Sequence, residues 1–248
     1  MSCAIEARGL RFRYPNGVTG LDGVDLSIRH GERVAVLGPN GAGKTTLMLH
    51  LNGLLAGEGS LSVAGVDVRS GDTRALRARV GLVFQDPDDQ LFMPTVREDV
   101  AFGPLNLAFD DIDARVSRAL ATVRMEHVAD RAPHQLSLGQ RRRVAIATVL
   151  AMDPKLLVLD EPSASLDPRS RRELLELLSR LGPTMLVVTH DLLFAAQLCE
   201  RAVVLSAGRV VADGPCLDIL RDEALLAAHD LELPYGFDPG RLEVAAAA

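Results

Sequence analysis

The N-terminal part of the chain alternates apolar and polar residues over residues 5–14 and 24–28. A period of two is typical of strands with one buried face. The turn residues Pro15, Asn16 and Gly17 separate the two segments. A further strand is predicted over residues 60–63, between glycine-containing turns. These segments predict a small antiparallel sheet.

Continuous apolar runs occur at four places further along the chain: residues 32–37, 80–84, 156–159 and 184–189. Short apolar runs of this kind indicate strands that are buried on both faces, as in a parallel sheet. A closing hairpin is predicted where residues 201–205 and 209–211 flank an alanine-glycine turn.

Residues 86–153 show helical spacing in place of strand patterns. Thr95 and Glu98 have the spacing of a capping box, and Ser137 is placed to cap a helix over residues 141–152. We therefore expect an α/β fold with a core of mainly parallel sheet, an N-terminal antiparallel β-subdomain and an inserted helical subdomain at about 86–153. A further helix is predicted over residues 169–181.

The composition indicates a globular protein, because 48% of the 248 residues are hydrophobic and 24% are charged. The net charge is −6, so the chain lacks the basic balance typical of nucleic-acid binding, and no nucleic-acid partner is expected. The cysteines Cys3, Cys199 and Cys216 are far apart in sequence, and we interpret them as reduced thiols of a cytosolic protein.

The longest apolar run covers residues 144–152, whereas a membrane-spanning helix needs about 20 apolar residues. The first residues lack a basic segment followed by an apolar one, so we expect no signal peptide. Any role at a membrane is therefore expected to depend on a partner protein.

The most specific motif is a glycine-rich stretch between a predicted strand and a predicted helix, and it fits the pattern G-x-x-x-x-G-K-[ST] of a P-loop. It consists of Gly38, Pro39, Asn40, Gly41, Ala42, Gly43, Lys44 and Thr45. Such a loop directs backbone N–H groups at phosphate, with Lys44 on the β- and γ-phosphates and the Thr45 hydroxyl on Mg²⁺. The alternative is an ordinary glycine turn, but Lys44 is one of only two lysines in the chain.

Two carboxylates follow the apolar run at 156–159. Asp160 at such a strand end is suited to binding Mg²⁺, and Glu161 is suited to acting as a general base toward water. Adjacent carboxylates at a buried edge repel each other, so a cation or hydrogen-bond donor is expected nearby. The alternative is a surface acidic pair.

Four further candidates are weaker when each is taken alone. Gln85 and His190 follow predicted core strands, where ligands gather, but each is also an ordinary loop residue. Tyr14 either stacks on an adenine or caps its strand. Ser137 either belongs to an anion site or simply caps a helix whose arginines form a solvated face.

In order and spacing, these motifs resemble an ATP-binding subunit of ABC transporters over about residues 3–225. The resemblance implies a Walker A loop at residues 38–45, a Q-loop at Gln85, a signature at residues 136–140 and a Walker B strand at residues 156–160. It implies a D-loop formed by Ser165, Leu166 and Asp167. Tyr14 is then the adenine-stacking residue, Glu161 the catalytic glutamate and His190 the switch histidine.

The resemblance implies ATP hydrolysis with ATP and Mg²⁺ as cofactors. The catalytic residues are then Glu161, His190 and Lys44, and the metal ligands are Thr45, Gln85 and Asp160. The nucleotide site comprises Tyr14, residues 38–45, Thr46 and Gln85.

Subunits of this family pair head to tail, so the signature residues Ser137, Leu138, Gly139 and Gln140 are expected to face the ATP of a second copy or of a paired, different subunit. The third signature position is usually glycine, and here it is Leu138. Ser137 and Gly139 are retained, so activity is expected to survive, with the Leu138 side chain fitted at the dimer interface.

Residues 83–104 are similar to the ATPases of energy-coupling factor importers, which take up cobalt, nickel or vitamins. This likeness implies a transmembrane coupling protein, a substrate-binding membrane component and a location at the cytoplasmic face of the cell membrane. Cobalt or nickel is the first choice of cargo and a vitamin the alternative.

Two other function classes are less well supported. A soluble ABC switch acting on ribosomes or nucleic acid typically has two cassettes or long inserts, and a small-molecule kinase would not need a signature.

The ATP-binding domain is expected to span residues 1–225. Residues 226–248 are expected to form a C-terminal extension that is either partly disordered or a small docking element.

Overall fold

The computed structural model describes residues 3–239 of the chain. Within this range the strands are β1 (Cys3–Arg13), β2 (Thr19–Arg29), β3 (Arg33–Leu37), β4 (Glu58–Val63), β5 (Val66–Asp67), β6 (Val80–Val83), β7 (Leu156–Asp160), β8 (Thr184–Val188), β9 (Arg201–Ser206) and β10 (Arg209–Pro215). The α-helices are α1 (Lys44–Leu51), α2 (Thr73–Arg79), α3 (Val96–Leu107), α4 (Ile112–Thr122), α5 (Leu138–Leu150), α6 (Pro168–Ser179), α7 (Leu192–Leu198), α8 (Cys216–Arg221) and α9 (Glu223–Ala228).

The smaller sheet is antiparallel and has the strand order β2-β1-β4-β5. The alternating pattern of β1 buries Ile5, Ala7 and Leu10 and leaves the intervening polar residues more accessible. This sheet is the N-terminal antiparallel subdomain that the alternation predicts. It shares an apolar cluster with β3, α1 and residues from one face of the other core strands.

The larger sheet has the strand order β10-β9-β3-β8-β7-β6. Strands β9, β3, β8, β7 and β6 pair in parallel, and only β10 joins in the antiparallel direction. The apolar runs are buried on both faces of this sheet, as their continuous hydrophobicity predicts. The α/β fold with a mainly parallel core is therefore confirmed.

The segment between β6 and β7 contains helices α3, α4 and α5 and short 3-10 turns, and the described residues show no strand in it. The predicted helical insertion is thus confirmed as part of the fold. Thr95 and Glu98 form the capping box of α3. Val116, Ala119 and Leu120 of α4 are buried against the same core.

Several element boundaries differ from the sequence prediction. Helix α5 begins at Leu138, three residues earlier than expected, because the Ser137 and Gln140 side chains form a reciprocal capping box there. Strand β10 continues to Pro215 because its backbone keeps pairing with β9 beyond the apolar residues. Strand β1 ends at Arg13, so Tyr14 lies just beyond it.

The described part of the C-terminal segment packs against the main core. Leu226 and Leu231 are buried, and Leu233 and Phe237 are partly buried against the same cluster. Residues 240–248 of the predicted extension lie outside the described residues.

Among residues 3–239, no helix combines the length and apolar character needed to cross a bilayer.

The packing of β6 against α5 gives a direct test of the fold. A Cβ added at Gly81 would lie 1.9 Å from Cγ1 of Val149, whereas a Cβ at the exposed Gly182 would meet nothing within 4 Å. We expect Gly81→Ala to lower the free energy of unfolding by about 1–3 kcal/mol because the strand must move away from the helix. Urea denaturation followed by circular dichroism measures this.

Gly182→Ala is the matched control and should change the free energy of unfolding by less than about 1 kcal/mol. Equal denaturation midpoints for Gly81→Ala and the wild type would contradict the close packing of β6 on α5.

Candidate functional site

The candidate site lies where four adjacent parallel strands end. Gly38, Thr189 and Glu161 directly follow β3, β8 and β7, and Gln85 is the second residue after β6. Parallel strands bring their carboxyl ends to the same edge, which explains why polar residues from distant parts of the sequence meet here.

The glycine-rich loop runs from the end of β3 to the start of α1 with a backbone that side chains would obstruct. A Cβ at Gly38 would lie 2.1 Å from the Leu205 carbonyl oxygen, and a Cβ at Gly43 would lie 2.3 Å from that of Gly20. Gly43 also has a left-handed φ of 102° at the N-cap of α1. The loop therefore requires glycine at both positions, and it leaves the N-terminal amides of α1 open to an anion.

Lys44 is folded back over this loop. Its Nζ donates to the carbonyl oxygens of Gly38 at 2.6 Å and Pro39 at 3.0 Å. Burial lowers the pKa of Lys44, and the negative charges of Glu161 and Asp160 oppose that shift. A cation held only by neutral carbonyls is well placed to move onto a phosphate.

Asp160 is the last residue of β7 and has the most perturbed carboxyl of the site. Burial and the charge of Glu161 raise the pKa of Asp160 to about 6, although the positive charges of Lys44 and Arg142 act in the opposite direction. The predicted repulsion between the two carboxylates and the predicted nearby cation are therefore both present in the structure. An additional cation beside Asp160 would favour its ionised form.

Glu161 has a left-handed φ of 43° and is only 9% exposed. Its carboxylate accepts hydrogen bonds from the Thr189 hydroxyl at 2.9 Å and the His190 backbone N–H at 3.1 Å. Nδ1 of His190 lies 2.8 Å from Oε1 of the same carboxylate. The loop after β8 thus holds the Glu161 side chain from three directions.

One cavity of about 270 Å³ collects most of the predicted nucleotide-site residues: Tyr14, Asn40, Gly41, Ala42, Gly43, Lys44, Thr45, Thr46, Gln85, Asp160 and Glu161. The Tyr14 hydroxyl lies 2.9 Å from Oγ1 of Thr46, which places the ring beside the start of α1. His190 reaches the cavity through its contact with Glu161, and 69% of its side chain is exposed.

The oxygen donors of this cavity suit a magnesium ion. Thr45, Gln85 and Asp160 offer a hydroxyl, an amide oxygen and a carboxylate, which are hard ligands of the kind that Mg²⁺ prefers. Among residues 3–239, His, Cys, Asp and Glu form no metal-binding group of three or more. A magnesium ion at this edge would therefore need phosphate or water oxygens to complete its coordination.

The signature residues do not line the nucleotide cavity of their own chain. Ser137 is exposed at the N-terminus of α5, and Ser137 and Gln140 line a separate groove toward α6. Leu138 is half-buried and lines a cleft that also contains Gln85 and Asp160. A Cβ at Gly139 would lie 2.7 Å from Oγ of Ser170, so glycine allows α5 and α6 to approach closely.

The D-loop residues connect β7 to α6. Ser165 has a left-handed φ of 59°, and Leu166 packs against the main core. The Asp167 carboxylate caps α6 by accepting from the backbone N–H groups of Arg169 and Ser170, both at 3.0 Å. Asp167 therefore has a local structural role, whatever it contacts in an assembly.

Two residues with functional contacts were not singled out by the sequence patterns. Thr189 is fully buried and donates to Glu161. Arg142 is 3% exposed and donates to the Glu161 backbone carbonyl, so the alternative that the α5 arginines form a solvated face is wrong for this residue. A polar residue directly after a core strand was the available signal for Thr189, whereas nothing local distinguishes Arg142 from Arg141 and Arg143.

Known proteins are similar to this chain over nearly its whole length. The family model described as "ABC transporter" matches residues 21–164. A putative ABC transporter ATP-binding protein of Streptomyces coelicolor is 59% identical, covering 95% of this chain and 92% of that protein. The energy-coupling factor transporter ATP-binding protein EcfA of Methanothermobacter thermautotrophicus is 49% identical, covering 94% of this chain and 78% of that protein.

Solved structures are also similar to this chain. The chain superposes on cbiO1 from Clostridium perfringens, described as part of the ABC transporter complex cbiONQ, with a TM-score of 0.81 and 38% identity over 94% of this chain and 97% of that one. The ATP-binding cassette MJ0796, in a dimeric post-hydrolysis state bound to ADP and Pi, gives a TM-score of 0.76 and 28% identity over 86% and 98%.

The raised pKa of Asp160 predicts a pH dependence of stability in metal-free, nucleotide-free protein. Because the folded pKa of about 6 exceeds the ordinary 3.8, stability contributed by protonated Asp160 is lost as pH rises through about 6. Asp160→Asn should therefore be more stable than the wild type by about 1–2 kcal/mol at about pH 8. Urea denaturation in EDTA at several pH values measures the difference.

That advantage of Asp160→Asn should fall by about half at about pH 5, since the wild-type carboxyl is then protonated in the folded state. The exposed Asp110→Asn serves as the control and should change the free energy of unfolding by less than about 0.5 kcal/mol at about pH 8. An Asp160→Asn variant less stable than the wild type at about pH 8 would contradict the raised pKa of Asp160 in the folded protein.

Proposed function

Because the chain belongs to the ABC transporter family of ATPases and to its energy-coupling factor group, we propose that it hydrolyses ATP to power an importer of cobalt or nickel ions. The observation that supports this cargo is the likeness to cbiO1, a part of the complex cbiONQ. The alternative cargo is a vitamin, since the EcfA relatives are named for the energy-coupling factor transporter without a substrate.

The P-loop binds the ATP phosphates in this mechanism. The amides at the start of α1 face the cavity, and Lys44 exchanges its two carbonyl contacts for the β- and γ-phosphates. Tyr14 stacks on the adenine. Positioning and charge neutralisation are the main requirements of phosphoryl transfer, and this loop supplies both.

Thr45, Gln85 and Asp160 hold Mg²⁺ in this proposal. The bound ion would neutralise charge on the phosphate oxygens. Asp160 then stays ionised despite its burial, because a cation offsets both the desolvation and the charge of Glu161.

Glu161 is the proposed general base. Its carboxylate is buried at the edge of the cavity and oriented by Thr189 and His190, so it can orient a water and accept its proton. His190 presents an exposed ring next to that carboxylate, where it would contact the γ-phosphate.

A second ATPase subunit completes the site. The N-terminus of α5 and Ser137 are exposed and lie outside the nucleotide cavity of the same chain, so they are free to contact a phosphate held elsewhere. The dimeric state of MJ0796 supports such pairing. We propose that the signature of each copy contacts the ATP of the other, either in a homodimer or with a paired, different ATPase.

The membrane partner is proposed to contact the surface after Gln85. Phe92, Phe102 and Leu105 are 62%, 42% and 56% exposed, and the two aromatic rings meet edge to face at 4.9 Å. A cluster of exposed apolar side chains is suited to docking another protein. The chain would then lie at the cytoplasmic face of the membrane, together with a transmembrane coupling protein and a substrate-binding component.

The role of Glu161 predicts a separation of binding from hydrolysis. Glu161→Gln should bind ATP with unchanged affinity and hydrolyse it about 10²–10⁴-fold more slowly, because the amide cannot accept the proton of water. Fluorescent-nucleotide titration and phosphate release measure the two properties. The exposed Glu176→Gln is the matched control and should keep the wild-type rate; near-normal turnover in Glu161→Gln would disprove the assigned role.

The cargo and the partners are tested by affinity purification of the tagged chain from detergent-solubilised membranes. We expect transmembrane proteins in the eluate and cobalt or nickel, detected by mass spectrometry, bound to the complex. Phe92→Asp should lose these proteins and keep ATP binding, because a charge would interrupt the apolar surface. A vitamin bound to the complex would identify a vitamin, and not a metal ion, as the cargo. An eluate of ribosomal or DNA-binding proteins would contradict a transport role.

A further inference from the structure

The proposed mechanism leaves one buried charge near the site without a role, that of Arg142. This residue lies on α5, two residues after the signature, and is 3% exposed. Its Nη1 donates to the Glu161 carbonyl oxygen at 2.7 Å, and its Nη2 lies 3.2 Å from the Ala164 carbonyl oxygen. The planar guanidinium thus spans both ends of the turn that follows β7.

The turn held by Arg142 has an unfavourable backbone. Glu161 and Ser165 have φ values of 43° and 59°, in the left-handed region that residues with a Cβ rarely adopt. Such conformations persist where surrounding contacts hold them. The Glu161 carbonyl also accepts from the Ala164 N–H at 3.1 Å, and the Glu161 N–H donates to the Val188 carbonyl at 2.8 Å.

Glu161 is therefore fixed at two separate points. Thr189 and His190, in the loop after β8, hold its carboxylate, whereas Arg142 on α5 holds its backbone carbonyl. A shift of α5 would move the backbone anchor while the side-chain anchor stayed in place. The direction of the Glu161 carboxylate depends on both anchors.

The charge environment of Arg142 fits a role that needs a guanidinium. Removing this group from water is costly, and within the described residues its Nε makes no hydrogen bond. The carboxylates of Asp86, Asp160 and Glu161 favour its charged form. An apolar side chain would fill the same space without those costs, but it would remove the guanidinium donors from both carbonyls of the turn and leave the Glu161 carbonyl with the Ala164 N–H alone.

We propose that Arg142 is a positioning residue that holds the left-handed turn of Glu161 and so aims the general base at the attacking water. This inference rests on the proposed role of Glu161. Because Arg142 belongs to the helix that begins with the signature, it also connects the residues that contact the partner's nucleotide with the base that acts on the chain's own nucleotide.

A double-mutant cycle with Glu161→Gln tests the proposal. Arg142→Met should lower kcat about 10–100-fold with KM and ATP affinity unchanged, since a misplaced base costs rate and not binding. In the Glu161→Gln background, the same substitution should change the residual rate by less than about twofold, because there is no base left to misplace. If Arg142 only stabilised the fold, Arg142→Met would lower the rate by a similar factor in the wild type and in Glu161→Gln.

The matched control is Arg33→Met. Arg33 also donates two guanidinium hydrogen bonds to backbone carbonyls, those of Ser179 and Leu181, but it lies at the start of β3, away from the strand ends that form the site. Arg33→Met should keep the wild-type kcat. If Arg142→Met does not fold, Arg142→Lys replaces it, and we expect a smaller loss of kcat because the charge remains without the planar fork.

Full kcat in folded Arg142→Met or Arg142→Lys would overturn the inference, as would a full further loss in the Glu161→Gln background. Normal turnover of Glu161→Gln by itself would instead refute the proposed role of Glu161 as the general base. The two failures are therefore distinguishable in one set of measurements.

Discussion

The structure depends on one electrostatic constraint, the placement of two adjacent carboxylates at the end of a buried strand. Asp160 and Glu161 repel each other and have lost much of their hydration. Around them the fold places Lys44 from the P-loop, Arg142 from α5 and hydrogen-bond donors from the loop after β8. The negative edge is thereby poised for a cation and for a water that must lose a proton, which is the chemistry of an ATPase.

The two carboxylates are held in different ways, and this difference supports the separate roles proposed for them. Asp160 keeps the strand backbone, lines the cavity and has a raised pKa, so it gains most from a bound cation. Glu161 leaves the strand with a left-handed backbone and accepts three hydrogen bonds or close contacts from Thr189 and His190. Because the backbone changes from extended at Asp160 to left-handed at Glu161, the two neighbouring carboxylates have different surroundings.

Much of the fold could be predicted because its signals are local. The period-two alternation in β1, the apolar run before Asp160 and the glycine spacing before Lys44 each depend on a few consecutive residues. The contacts of Arg142 and Thr189 with Glu161 could not be predicted, because they join residues 19 and 28 positions apart through tertiary packing. The sequence pattern predicts the start of α5 three residues too late, because Leu138 and Gly139 do not continue the apolar pattern of the helix.

In the proposed homodimer, each nucleotide site needs the P-loop of one copy and the signature of the other. Mixing Lys44→Ala with Ser137→Arg tests it most directly, because each variant alone should be inactive. Random pairing would give half mixed dimers with one intact site each, so phosphate release should recover to about a quarter of the wild-type rate at most. For a homodimer of this chain, no recovery on mixing, or normal hydrolysis by Ser137→Arg alone, would contradict this arrangement of the sites.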